Sequence, residues 1–162
     1  MFSSDLLVRA EKLLADARVK KLKIAIAESC TGGLVAGLLT EIAGSSDVFE
    51  RGFVTYSNRA KQDLLGVPAA MIRQYGAVSE AVARAMAEGA IRNSVAQLAI
   101  AITGVAGPGG GSDEKPVGLV HITAARAGEA TLHRECRFGD IGRSEIRLKS
   151  VETAMEMLQS LV

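Results

Sequence analysis

Tryptophan is absent from this 162-residue chain, and four Phe and two Tyr make up its aromatic content. With aromatics this scarce, 17 Gly among many Ala point to helices packed closely on a sheet. Two cysteines, Cys30 and Cys136, are too few for a disulfide framework and lack zinc-ligand spacing. No metal site or cofactor is expected. Charge of one sign is lacking too: 19 Lys and Arg meet 18 Asp and Glu, for a net charge of +1. That balance excludes a broad nucleic-acid-binding face, though it leaves room for a small basic pocket that holds one phosphate. Met1 to Arg9 has neither the charged start nor the apolar run of a signal peptide. The longest uncharged stretch, Asn93 to Ser112, is broken by Gly104, Gly107, Pro108 and Gly109 to Gly111, so no membrane span is expected. A soluble, cytoplasmic protein is the expectation.

What is present fits one globular domain, residues 1–162. The hydrophobic share is 48% and the charged share 23%. A chain of this length hides roughly 70% of its unfolded surface on folding, enough for a core without staples. Leu6, Ala10, Leu13 and Ala17 recur at helical spacing. Leu22 to Ala27 suits a buried strand, and Thr31 opens a second helix that Gly44 closes. Gly52 to Tyr56 is a second strand. Asn58 caps a short helix over Arg59 to Leu65 with Gly66 beyond its end, and Ser79 caps a long Ala-rich helix to about Asn93. Leu98 to Thr103 and Val117 to Ala124 are further strands. From Ala130 to Phe138 apolar and polar residues alternate, with Arg134 as the misfit on the apolar face. Arg143 to Leu161 is the last helix. This order predicts a three-layer α/β/α sandwich: a mostly parallel sheet with an antiparallel edge and helices on both faces.

Ligands in such sheets sit where strands end and helices begin, which singles out three segments. In Glu28-Ser29-Cys30-Thr31-Gly32-Gly33, a hydroxyl stands beside helix-start N–H groups that can hold an oxyanion or bind an anion. Ser29 and Thr31 serve equally well as plain helix caps, and Cys30 is a rival nucleophile or a buried thiol. In Tyr56-Ser57-Asn58-Arg59-Ala60-Lys61, burial and the helix start would lower the lysine pKa toward the neutral amine of a general base. A solvated lysine is the plainer alternative. Tyr56 either orients the amine, stacks on a flat ring, or is an ordinary strand aromatic. The glycine loop after Thr103 and Gly104 lacks the endings of a phosphate-binding P-loop or a dinucleotide fingerprint. His121 and His133 fall in strands without an evident partner. Arg143 and Arg147 share a helix face and are both candidates for phosphate.

Together the segments AESCTGG (Ala27 to Gly33), TYSNRAKQDLLGV (Thr55 to Val67), AVSEAVARAMAEGA (Ala77 to Ala90), AITGVAGPGG (Ala101 to Gly110) and EKPVGLVHI (Glu114 to Ile122) resemble the CinA C-terminal domain family, the nicotinamide-mononucleotide deamidases. The resemblance covers most of the chain and implies the three-layer fold. It also implies hydrolysis of the carboxamide of nicotinamide mononucleotide to nicotinate mononucleotide and ammonia, a salvage reaction. By the same resemblance Ser29 is the nucleophile, Lys61 its base and Tyr56 a support for the lysine. Cys30, Thr31, Gly32 and Gly33 then supply backbone donors. Thr103 and Gly104 contact substrate, and Arg143 meets the phosphate. The usual Gly-Asp-Arg run reads Gly139-Asp140-Ile141-Gly142-Arg143 here, so Arg147 stays a competitor, and the loop at Gly111 to Asp113 is extended. Larger relatives carry an N-terminal domain for which this chain has no room. The partners implied are a small nucleotide substrate and further copies of the chain, with no nucleic acid and no membrane. The alternative is a non-catalytic nucleotide-binding module linked to competence or DNA damage.

Overall fold

A computed structural model describes residues 2–162. Its elements in chain order are α1 (Ser4–Val19), β1 (Ile24–Glu28), α2 (Leu34–Thr40), β2 (Phe49–Val54), α3 (Asn58–Leu65), α4 (Ala69–Tyr75), α5 (Glu80–Arg92), β3 (Leu98–Gly104), β4 (Leu119–Arg126), β5 (Leu132–Arg137) and α6 (Arg143–Gln159). The five strands form one sheet in the order β2-β1-β3-β4-β5. β1 pairs in parallel with both β2 and β3, and the pairs β3–β4 and β4–β5 are antiparallel. Only β4 therefore runs against the other four. The expected three-layer arrangement with an antiparallel edge is the one found.

The strand sequences explain the layering. Successive side chains of a strand point to opposite faces, and β1 reads Ile-Ala-Ile-Ala while β3 reads Leu-Ala-Ile-Ala-Ile. Ile24, Ile26, Leu98, Ile100 and Ile102 pack with α1, α2 and α6. Ala25, Ala27, Ala99 and Ala101 face α3, α4 and α5. The bulky face is filled by branched side chains. The alanine face is thin and lets α5 lie close, a fit extended by Gly89, where a Cβ would run into the Leu65 carbonyl of α3.

Several boundaries differ from the sequence expectation, each for a local reason. The second helix begins at Leu34 rather than Thr31, because Gly32 and Gly33 take left-handed φ values of +59° and +101° that no helix continues through. β2 lies at Phe49–Val54, earlier than Gly52 to Tyr56; as an edge strand with no fully buried residue it carries little hydrophobic pattern. Ser57, not Asn58, caps α3, its hydroxyl accepting the Ala60 N–H at 3.0 Å. Ser79 caps α5 as expected, and Gly66 ends α3 in the left-handed region. Arg134 is no misfit: on the outer strand β5 its guanidinium reaches past the core to Glu156 of α6 at 2.9 Å.

The chain leaves β1 toward β2 in one direction and β2 toward β3 in the other. Right-handed crossovers then place α2 and the α3–α5 group on opposite faces. The reversal lies between β1 and β3, where their C-terminal ends part and leave a crevice.

Candidate functional site

The three polar segments meet in that crevice. It is a cavity of about 300 Å³ whose wall includes Ser29, Cys30, Tyr56, Lys61, Thr103 and Arg143. Gly104 lines it as well. Thr31, Gly32 and Gly33 do not; they form the turn behind it.

Ser29 follows the last residue of β1 and remains tied to the sheet. Its N–H donates to the Ile102 carbonyl of β3 at 3.0 Å, while the Glu28 carbonyl accepts the Thr55 N–H at 2.8 Å. Serine and the approach to α3 are thereby fixed to one rigid sheet. Lys61 enters from the first turns of α3 and is 1% exposed, so it is not the solvated side chain of the plainer reading. Its Nζ lies 3.0 Å from Ser29 Oγ and donates to the Thr55 carbonyl at 2.9 Å. Burial holds its pKa below the ordinary lysine value; a charge on Cys30 would act in the opposite sense. The Cys30 thiol is buried and pushed up to about 11, chiefly by desolvation, so at neutral pH it stays protonated and a poor nucleophile.

Among the described residues no hydrogen bond joins Tyr56 to Lys61. Tyr56 is 59% exposed, and its hydroxyl accepts from Arg143 Nη2 at 2.8 Å. The Thr55 carbonyl, one residue earlier, is what holds the amine. The other Arg143 nitrogen, Nη1, donates to the Gly107 carbonyl at 2.8 Å, so this guanidinium spans the glycine loop and Tyr56 at the rim. Arg147 turns elsewhere: Nε donates to the Cys30 carbonyl at 3.1 Å and Nη2 to the Thr31 carbonyl at 3.0 Å. Of the two arginines, only Arg143 lines the cavity. Thr103 donates its hydroxyl proton to the Ala77 carbonyl at 2.9 Å, which ties β3 to the start of α5.

Glu28 corrects the expectation that the helix-start donors are open to a ligand. Its carboxylate, 1% exposed, accepts the N–H groups of Gly33 and Val35 at 3.1 Å and of Ala36 at 3.0 Å. An anion at a helix start is favourable, and here the protein supplies its own. The Gly32 N–H donates to the Ser29 carbonyl at 3.0 Å. Among the described residues, the Cys30 and Thr31 N–H groups meet no oxygen acceptor. Of the two, Cys30 lines the cavity and Thr31 lies behind it.

His121 and His133, without a partner in the sequence reading, are each other's partner. His121 Nδ1 lies 2.9 Å from His133 Nε2 with the rings stacked, and burial lowers both pKa values. Neither lines the cavity. Among the described residues, no group of three or more His, Cys, Asp or Glu is placed to hold a metal ion, and no helix is long and apolar enough to cross a membrane.

Fold and site together define a three-layer α/β/α domain with a serine–lysine pair at the switch point of its sheet. The chain belongs to the CinA C-terminal domain family, whose model matches residues 8–162. An Escherichia coli protein named nicotinamide-nucleotide amidohydrolase PncC is 46% identical over 159 residues, 98% of this chain and 95% of that protein. A CinA-like protein of Synechococcus is 52% identical over 151 residues, 93% of this chain. The crystal structure of the competence/damage inducible protein CihA from Agrobacterium tumefaciens superposes with a TM-score of 0.97 at 54% identity, covering 99% of this chain and 98% of that one. Other curated relatives are longer: the chain spans 36% of the Synechococcus protein and 26% of a putative competence-damage inducible protein of Caldicellulosiruptor bescii.

Proposed function

We propose that this chain is an amidohydrolase that converts nicotinamide mononucleotide to nicotinate mononucleotide and ammonia through a serine-bound acyl intermediate. The observation that carries the reading is the buried amine of Lys61, 3.0 Å from the hydroxyl of Ser29 on the cavity wall. The PncC likeness across nearly the whole chain supports the substrate.

In the neutral form, one Lys61 N–H is held by the Thr55 carbonyl and the lone pair accepts the Ser29 proton. Ser29 Oγ then bonds to the carboxamide carbon, and the carbonyl oxygen takes up the negative charge. The Cys30 N–H, on the cavity wall directly after the serine, is the donor for it, a contribution on the order of 3 kcal/mol. The Lys61 ammonium returns the proton to the departing nitrogen, the C–N bond breaks, and ammonia leaves. Water, deprotonated by the same amine, attacks the ester and Ser29 regains its proton. Splitting hydrolysis of a stable amide into these two steps is the usual gain of covalent catalysis. The pyridinium ring of the substrate withdraws electrons from the carboxamide and assists the first attack.

Arg143, at the rim, is the phosphate contact. Loss of one charge-assisted contact removes about 1.5–3 kcal/mol. Arg143→Ala is therefore expected to raise KM for the mononucleotide roughly 10- to 100-fold with kcat little changed. Turnover of the riboside, which lacks the phosphate, should respond far less, and steady-state kinetics on the two substrates checks this.

The direct test is ammonia release from nicotinamide mononucleotide with matching formation of nicotinate mononucleotide. Binding of the nucleotide without turnover would replace the enzyme with a nucleotide-binding module.

A further inference from the structure

We propose that Arg147 is a positioning residue that sets the backbone turn carrying the Cys30 N–H beside Ser29, with Glu28 as its counterpart on the other side of the turn. The inference rests on the reading of Ser29 as nucleophile and assigns a function to an arginine that the sequence offered only as a rival phosphate ligand.

The geometry follows from the planarity of the peptide unit. In a trans peptide the carbonyl and the following N–H point in opposite directions. The carbonyl of Cys30 shares a plane with the N–H of Thr31, so holding that oxygen on Arg147 Nε turns the Thr31 N–H away from the guanidinium. The carbonyl of Ser29 shares a plane with the N–H of Cys30, and the Gly32 N–H holds that oxygen. Arg147 Nη2 also takes the Thr31 carbonyl, locking the peptide that carries the Gly32 N–H and so the internal bond of the turn. Each peptide unit from Ser29 to Gly32 thus has its carbonyl held, which fixes the Cys30 N–H on the cavity wall.

Glu28 secures the far end. Its three bonds to Gly33, Val35 and Ala36 anchor the start of α2 to the last residue of β1. The turn between must then close within four residues, Ser29 to Gly32. The planar fork of Arg147 suits two carbonyls at once, which a single ammonium point does not. Its place four residues after Arg143 on α6 puts one guanidinium at the cavity rim and the other behind the turn.

The test compares Arg147→Ala and Arg147→Lys with the wild type by kinetics on nicotinamide mononucleotide and by labelling of Ser29 with a fluorophosphonate probe. Misplacing reacting groups by about 1 Å costs roughly 100-fold. Arg147→Ala is expected to lose about that much in kcat with KM within about twofold, and to label correspondingly slowly. Arg147→Lys, which keeps the charge but not the fork, should stay impaired in kcat. Added guanidinium ion at millimolar concentration should restore part of the rate to Arg147→Ala, a response that mere loosening of the fold would not give. A rise in KM with kcat retained would make Arg147 a phosphate ligand and overturn the proposal, as would unaltered kinetics and labelling. If Arg147→Ala does not fold, Arg147→Lys decides by the same kcat and labelling criteria. A wild type that labels at Ser29 without consuming the mononucleotide would sink the substrate assignment and leave the Arg147 comparison to be decided by labelling. A wild type inert to both would remove Ser29 as nucleophile, and this proposal with it.

Discussion

Ser29→Ala is expected to lower turnover of nicotinamide mononucleotide on the order of 10⁶-fold, the scale seen when a covalent nucleophile is removed. The fold should be untouched. Ser29 is held through its backbone N–H to Ile102, which alanine keeps, and the lost hydroxyl leaves Lys61 with its Thr55 carbonyl. The measurement pairs ammonia release with a thermal melt. Equal melting with activity lost fits the assignment. Equal melting with activity kept would move the nucleophile to another group, and Cys30, with its thiol held protonated, is a weak replacement.

The second large effect belongs to Lys61. Lys61→Arg should lower kcat by about 10²–10⁴-fold, since a guanidinium stays protonated and cannot accept the serine proton. For the wild type, kcat/KM should rise with pH and level off at the folded pKa of Lys61, which burial sets below the ordinary lysine value. The same shift links to stability. Between the lowered folded pKa and the unfolded value near 10.5 the unfolded chain binds more protons, so stability rises with pH across that window. Below the window, the folded state carries the cost of a buried ammonium. Lys61→Met removes the titration, and its stability should lack that rise. Denaturant midpoints at several pH values measure it. A Lys61→Met curve parallel to the wild type would show that the amine titrates without perturbation.

The legible parts of the molecule were those in which pattern and burial coincide. β1 and β3 are buried along almost their whole length and stood out as short apolar runs, and α5 announced itself by its Ser79 cap and Ala-rich face. β2 was misplaced because an edge strand with its residues half in water has no such run. The meeting of Ser29 and Lys61 followed from strand ends and from family likeness, but their separation did not. They stand 32 positions apart, and no periodicity carries a distance. The roles of Thr55 and of Glu28 were hidden for related reasons. A backbone carbonyl has no residue signature, and a glutamate six residues before the helix of which it caps the donors looks like any polar strand end. The histidine pair needed the register of two antiparallel strands, in which His121 faces Glu135 and His133 faces Thr123.

The unequal faces of the sheet bear on how this domain can drift in sequence. On the branched-chain side, Ile, Leu and Val exchange at a cost usually below about 1.5 kcal/mol when volume is kept. The opposite side has less latitude: Ala25, Ala27, Ala99 and Ala101 are fully buried against the α3–α5 group, and larger side chains there would overpack it. Lys61 and Thr103 stand on that side. Substitutions should therefore accumulate around α1 long before they reach the layer that frames the cavity.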